Sequence, residues 1–137
     1  VALFYADASA LVKLVRDEPE TDALRIYLAG ADIVSSELAL TEVPRAVRRA
    51  ASHDRLLAID SLLQRTGELL DALALLPVNR TVLAAAGAIT EPALRTLDAI
   101  HVAGAAYLGP VDAFVTYDDR QAAAARLAGL RTTAPGS

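Results

Sequence analysis

The feature that most constrains the fold is a run of five consecutive apolar residues, Ala2-Leu3-Phe4-Tyr5-Ala6, stopped by Asp7 and followed by a helical pattern, Ala10-Leu11-Val12-Lys13-Leu14-Val15. A strand with one wet face alternates apolar and polar residues. One that is apolar throughout is covered on both faces, as strands of parallel sheets are. The layout recurs: Ile33-Val34, Leu73 to Val78 and Ala113 to Tyr117 are short apolar runs, and Gly129 to Thr133 reads as a short edge strand. Pro77 belongs near a strand end, because it has no N–H for the ladder.

Helical spacing fills the intervals. After Pro19 a helix presents Leu24, Ile26, Tyr27 and Leu28, and Gly30 stands where a left-handed cap would end it. Ser35 or Ser36 is the expected N-cap of a helix through Leu38, Leu40, Val43 and Val47, bent at Pro44. A further helix is expected over about residues 54 to 72, with Leu56, Leu57, Ile59 and Leu62 on its apolar side and Ser52-His53-Asp54 as the turn before it. Residues 81 to 90 form a short Ala-rich helix, Thr96 to Leu108 a longer one stopped by Gly109-Pro110, and Asp118-Asp119-Arg120 opens a last helix to about Ala128. Alternating strands and helices joined by short connections predict an α/β fold of three layers, α/β/α, with a central parallel sheet of four to five strands and helices on both faces.

At 137 residues the chain fits a single domain, residues 1–137. With 54% hydrophobic residues but only 4% aromatic, the core must be built from Ala, Leu, Val and Ile. The absence of cysteine excludes disulfides, thiolate metal sites and a cysteine nucleophile, so any metal is held by oxygen or imidazole. No apolar run reaches the roughly 18 residues of a membrane span, and the N-terminus lacks a signal-peptide layout, so the chain is expected to be cytoplasmic. It starts at Val1 and holds no methionine, which places the expected natural start upstream.

A net charge of −4 argues against a general polyanion binder. The cations are nonetheless patterned: all but Lys13 are Arg, and Arg45, Arg48, Arg49 and Arg55 fall close together, most simply as a solvated helix face.

Ligands of open parallel sheets bind beyond the carboxyl ends of the strands. Asp7 and Asp118 follow strands directly and precede helices, positions that also suit an N-cap. Asp98 falls in the first turn of its helix, where the dipole alone accounts for an acid. Glu42 is expected about two turns into its helix among Leu38, Ala39, Val43 and Ala46, a poor place for an unpaired carboxylate. Two such charges about 5 Å apart at an effective dielectric of about 20 repel by about 3 kcal/mol. A hard divalent cation relieves that repulsion, and the chemistry it supports is hydrolysis of a phosphate ester. Ser9 and Thr116 flank the acids, Ser9 more simply as a helix cap. Asp119 reads as a first-turn helix acid, His101 as a core or rim histidine, and His53 carries no assignment.

Four stretches together resemble the PIN domain family: Phe4-Tyr5-Ala6-Asp7-Ala8-Ser9, Glu37-Leu38-Ala39-Leu40-Thr41-Glu42-Val43, Leu97-Asp98-Ala99-Ile100-His101 and Phe114-Val115-Thr116-Tyr117-Asp118-Asp119. Within that family the chain looks like a VapC toxin of a type II toxin–antitoxin system, over essentially its whole length. The resemblance implies an endoribonuclease dependent on Mg²⁺, with Mn²⁺ as a substitute, that cuts structured RNA such as tRNA or rRNA and halts translation. It further implies that Asp7, Glu42, Asp98 and Asp118 hold the metal, that a VapB antitoxin wraps the toxin and obstructs the site, and that the toxin forms a homodimer. Arg45, Arg48 and Arg49 would then face RNA or antitoxin. The competing reading is a non-catalytic module of the same fold that binds RNA or protein. Receiver domains and haloacid dehalogenase phosphatases also place aspartates at strand ends, but no Asp-x-Asp follows the first strand here and no lysine follows a late one.

Overall fold

The computed structural model describes residues 1–137. Twelve elements follow in chain order: β1 (Leu3–Ala6), α1 (Ala8–Val15), α2 (Thr21–Leu28), β2 (Asp32–Ser36), α3 (Ala39–His53), α4 (Ile59–Ala72), β3 (Ala74–Leu76), α5 (Arg80–Gly87), α6 (Thr96–Leu108), β4 (Ala113–Val115), α7 (Asp119–Leu127) and β5 (Thr132–Thr133). The five strands make one sheet in the order β3-β2-β1-β4-β5, and every pairing is parallel. The three-layer α/β architecture expected from the apolar runs is the one observed.

The central strand explains why its sequence does not alternate. Phe4 and Ala6 point into one apolar layer with Leu11 and Val15 of α1, Leu24 of α2 and Val43 of α3, whereas Tyr5 points the other way, onto Val102 of α6 and Ala124 and Ala125 of α7. A third cluster, Val82 and Ala86 with Ala99, Ile100 and Ala103, seats α5 on the outer side of α6. Helix α6 is therefore covered all round, and every residue from Ala99 to Ala105 is buried. No helix is long and apolar enough to cross a membrane.

Several boundaries differ from the sequence pattern, each for a local reason. Neither serine is the N-cap of α3: both Ser35 and Ser36 lie in the ladder opposite Leu75 and Leu76, Ser35 Oγ donates to the Ala6 carbonyl at 2.6 Å, and Ser36 Oγ accepts from Leu38 N at 3.1 Å in the turn ahead of the helix. Helix α3 starts only at Ala39, so Glu42 lies in its first turn rather than two turns in. At the other end α3 runs on to His53, and Asp54 Oδ1 accepts from Leu56 N in a side-chain-closed turn. Helix α4 accordingly begins at Ile59, and Leu56 is 95% exposed instead of facing a core. In α2 only Leu24 and Leu28 of the four expected apolar positions are buried, and Ile26 faces solvent. Strand β4 ends at Val115, two residues short of the expected end, because Thr116 Oγ1 accepts from Asp118 N and turns the chain. Gly30 and Gly109 do take positive φ, +74° and +103°, where their helices end.

Candidate active site

The strand order reverses direction between β1 and β4, the point at which neighbouring connections leave on opposite faces and open a crevice. Asp7 leaves the end of β1 there. It is the N-cap of α1, its Oδ1 accepting from Ala10 N at 3.0 Å. Ser9 Oγ donates to the same oxygen at 2.6 Å and Thr116 Oγ1 to Oδ2 at 2.5 Å. Both hydroxyls are themselves pinned, Ser9 Oγ accepting from Tyr117 N at 2.9 Å and Thr116 Oγ1 from Asp118 N at 3.1 Å. Asp7, rather than Ser9, is thus the cap, and the two hydroxyls tie the loops after β1 and β4 together through its carboxylate. Burial holds that carboxyl above the usual carboxylate range, and the donors from Ser9, Thr116 and Ala10 only partly offset it.

The other three acids approach from separate helix starts. Asp118 is the N-cap of α7: its Oδ1 accepts from Arg120 N at 2.9 Å and Gln121 N at 3.2 Å, which leaves Oδ2 free. Asp98, in the first turn of α6, lies 3.6 Å from Arg95 Nε. Burial, then the charge of Asp118, with a further contribution from Glu42, raises its pKa against the opposing pull of Arg95. Glu42 extends from the first turn of α3, and its Oε1 lies 2.6 Å from Nε2 of His101, which is 1% exposed. His101 is therefore a core histidine, as expected, but one bonded to a site carboxylate.

Asp7, Glu42, Asp98 and Asp118 line one cavity of about 50 Å³, together with Ser9, His101 and Gln121. Asp119 lies outside it, exposed on α7. The cavity adjoins a cleft of about 640 Å³ that shares Ser9, Glu42 and Asp98 and carries Arg45, Arg49 and Arg95 on its walls. Arg48 does not line the cleft, whereas Arg49 continues into a depression with Arg16 and His53. No three Asp, Glu or His groups stand close enough to cage an ion by themselves. The donor set nonetheless suits a hard, hydrated cation: four carboxylates line the cavity beside an imidazole and an amide that are already bonded within the protein, Asp118 Oδ2 is free, Asp98 has only the exposed Arg95 at 3.6 Å as counter-charge, and there is room for a few waters.

Arg95 and Gln121 were not singled out by their residue patterns. Arg95 stands three residues before Asp98, a legible helical pair. Gln121, whose Nε2 donates to the Asp98 carbonyl at 3.1 Å, gives no local signal, because its partner lies 23 residues away. The same holds for the bond between His101 and Glu42, 59 residues apart.

The chain is similar over its length to known proteins. It is 38% identical over 141 residues to Ribonuclease VapC47 of Mycobacterium tuberculosis, covering 98% of both chains. It is 42% identical over 137 residues to Ribonuclease VapC46 of the same species, covering 98% of this chain and 99% of the relative. Among solved structures, VapBC2 from Rickettsia felis, bound to a DNA fragment from its promoter, superposes with a TM-score of 0.72 at 12% identity over 97% of this chain and 98% of that one. PAE2754 from Pyrobaculum aerophilum superposes with a TM-score of 0.66 at 22% identity over 96% and 90%. The PIN domain profile matches residues 4–127, and on that match and these full-length identities the chain belongs to the PIN domain family, in its group of VapC ribonucleases.

Proposed function

We propose that this chain is a Mg²⁺-dependent endoribonuclease toxin that hydrolyses phosphodiester bonds in structured RNA such as tRNA or rRNA, so inhibiting translation, and is neutralised by a VapB-type antitoxin. The observation that carries the reading is the convergence of four carboxylates, from four separate stretches of chain, on one cavity that opens into an arginine-lined cleft. The relatives' printed name, ribonuclease, supports RNA as the polymer, and the solved VapBC relative supports an antitoxin partner.

Asp7, Glu42, Asp98 and Asp118 would hold the metal, Mg²⁺ or Mn²⁺. When bound, the cation neutralises these acids, polarises a phosphate oxygen and makes a water acidic enough to attack. The chain's own contribution is rigidity and charge. Asp7 is locked by three donors, so its geometry is set before the substrate arrives. Arg45, Arg49 and Arg95 offer guanidinium groups to backbone phosphates on the open side of the acids. An antitoxin segment occupying the same cleft would exclude RNA, and a homodimer would present two such clefts.

Purified chain incubated with total RNA tests this directly. We expect discrete fragments with Mg²⁺ or Mn²⁺, and a loss of about a hundredfold or more with EDTA or on Asp98→Ala. Equal cleavage by the wild type and the variant would sink the proposed site. A wild type that binds RNA but cuts none under any metal would establish the non-catalytic alternative.

A further inference from the structure

We infer that Tyr5 and His101 form a fixed hydrogen-bond relay that sets the position of Glu42 in the acid cavity, making His101 a positioning residue for the cation site; this rests on the metal-dependent reading above. From Ala99 to Ala105 helix α6 is buried on every side, and His101 apart it offers its neighbours only apolar or small residues there. One imidazole in such a helix must satisfy both ring nitrogens inside the protein. It does so with two side chains: Nδ1 lies 2.9 Å from Tyr5 Oη, and Nε2 lies 2.6 Å from Glu42 Oε1.

The relay has a rigid end and a mobile end. Tyr5 belongs to the central strand, two residues before Asp7, and its ring stacks on Phe114 of β4 at a centroid distance of 5.1 Å. Glu42 lines the cavity from the start of α3, on a side chain with three rotatable bonds whose one protein hydrogen bond is that to His101. A tyrosine phenol keeps its hydrogen at neutral pH, so Oη, 2.9 Å from Nδ1, donates to it. Nε2 then carries the hydrogen and donates it to the carboxylate, which only accepts. One oxygen of Glu42 is held, and Oε2 is left for the cation. Carboxylates that bind metals are commonly oriented in this way by a partner behind them, and loss of that partner costs about 10–100-fold in metal affinity.

A histidine that merely fills the core would not change cation affinity when replaced by a residue that still folds. Mn²⁺ binding to the metal-free chain, followed by electron paramagnetic resonance, therefore decides between the two roles. His101→Leu is expected to weaken Mn²⁺ binding about tenfold or more, Tyr5→Phe by less, and His101→Gln, whose amide still donates to Glu42, by no more than about threefold. Imidazole ¹⁵N shifts of the wild type are expected to show hydrogen on Nε2 and a bare Nδ1. A folded His101→Leu chain that binds Mn²⁺ like the wild type overturns the relay. If that variant does not fold, wild-type affinity in Tyr5→Phe does the same. Hydrogen on Nδ1 and none on Nε2 also overturns it. A wild type that takes up no Mn²⁺ defeats the metal reading instead, and the ¹⁵N shifts then decide the relay alone.

Discussion

Asp7 is a carboxyl kept where water cannot reach it, at 1% exposure, and the hydroxyls of Ser9 and Thr116 stand in for its hydration shell. Replacing Thr116 by Val keeps the shape of the side chain but removes a donor to the carboxylate and the acceptor of Asp118 N. The expected cost is about 2 kcal/mol at neutral pH, measured by urea unfolding. Because the lost bond favours the charged form of Asp7, the cost should be larger at pH 7 than at pH 4; an equal loss at both would contradict it. Asp7 and Asp118 were legible as candidates for the cavity they line because each follows an apolar strand run and opens a helix. Asp98 was not, since a first-turn acid needs no site to account for it. Glu42 was singled out on an expectation the fold corrects: it begins a helix, and its interest lies in His101, a partner that no local spacing reveals.

Among the elements, α6 joins the core to the site, with Asp98 at its start and His101 one turn on. Gly104 lies in its interior, and an added Cβ there meets nothing nearer than Tyr5 Oη at 3.7 Å, an ordinary contact. Gly104→Ala is therefore expected to stabilise the chain by about 0.5–1 kcal/mol through helix propensity, read as a higher midpoint in urea; destabilisation would mean that the buried helix cannot adjust. Helices with clear stop signals were legible nearly to the residue, as α6 was between Thr96 and Gly109. Those whose starts depend on tertiary pairing were not. The ladder between β2 and β3 outbids Ser35 and Ser36 as caps, and the exposed turn at Asp54 to Ala58 looks apolar only because Leu56 and Leu57 fall in it. The parallel sheet was readable from unbroken apolar runs, but its order was not, because β1 pairs with β4 more than a hundred residues away.

For the whole molecule, opposing carboxylates give stability a definite pH dependence. Asp7 and Asp98 hold protons more tightly in the folded chain than in the unfolded one. Their contribution is full below the ordinary aspartate range, about pH 4, and is lost as pH rises through their raised values. Glu20, paired with Lys13, acts with the opposite sign and loses its contribution as pH falls through its lowered value. The metal-free chain should thus melt at a lower temperature at pH 7 than at pH 5. Mg²⁺ should reverse that loss, by about 2.7 kcal/mol at a concentration a hundred times its Kd. Asp98→Asn should raise the metal-free melting temperature at pH 7 by about 3–5 °C and abolish most of the Mg²⁺ effect; a lowered melting point would show that the Arg95 pair outweighs the repulsion. The strand order carries one more consequence. With β1 flanked by β2 on one side and β4 on the other, Asp7 has no cavity to face while the chain is still short. A nascent chain that has reached the end of α5 contains two of the four acids and lacks the strand that locks the first of them. Only when residue 118 clears the ribosomal exit tunnel can the cavity close, so a member of a ribonuclease family gains its four-acid cavity only after every stretch that carries one of those acids has left the ribosome.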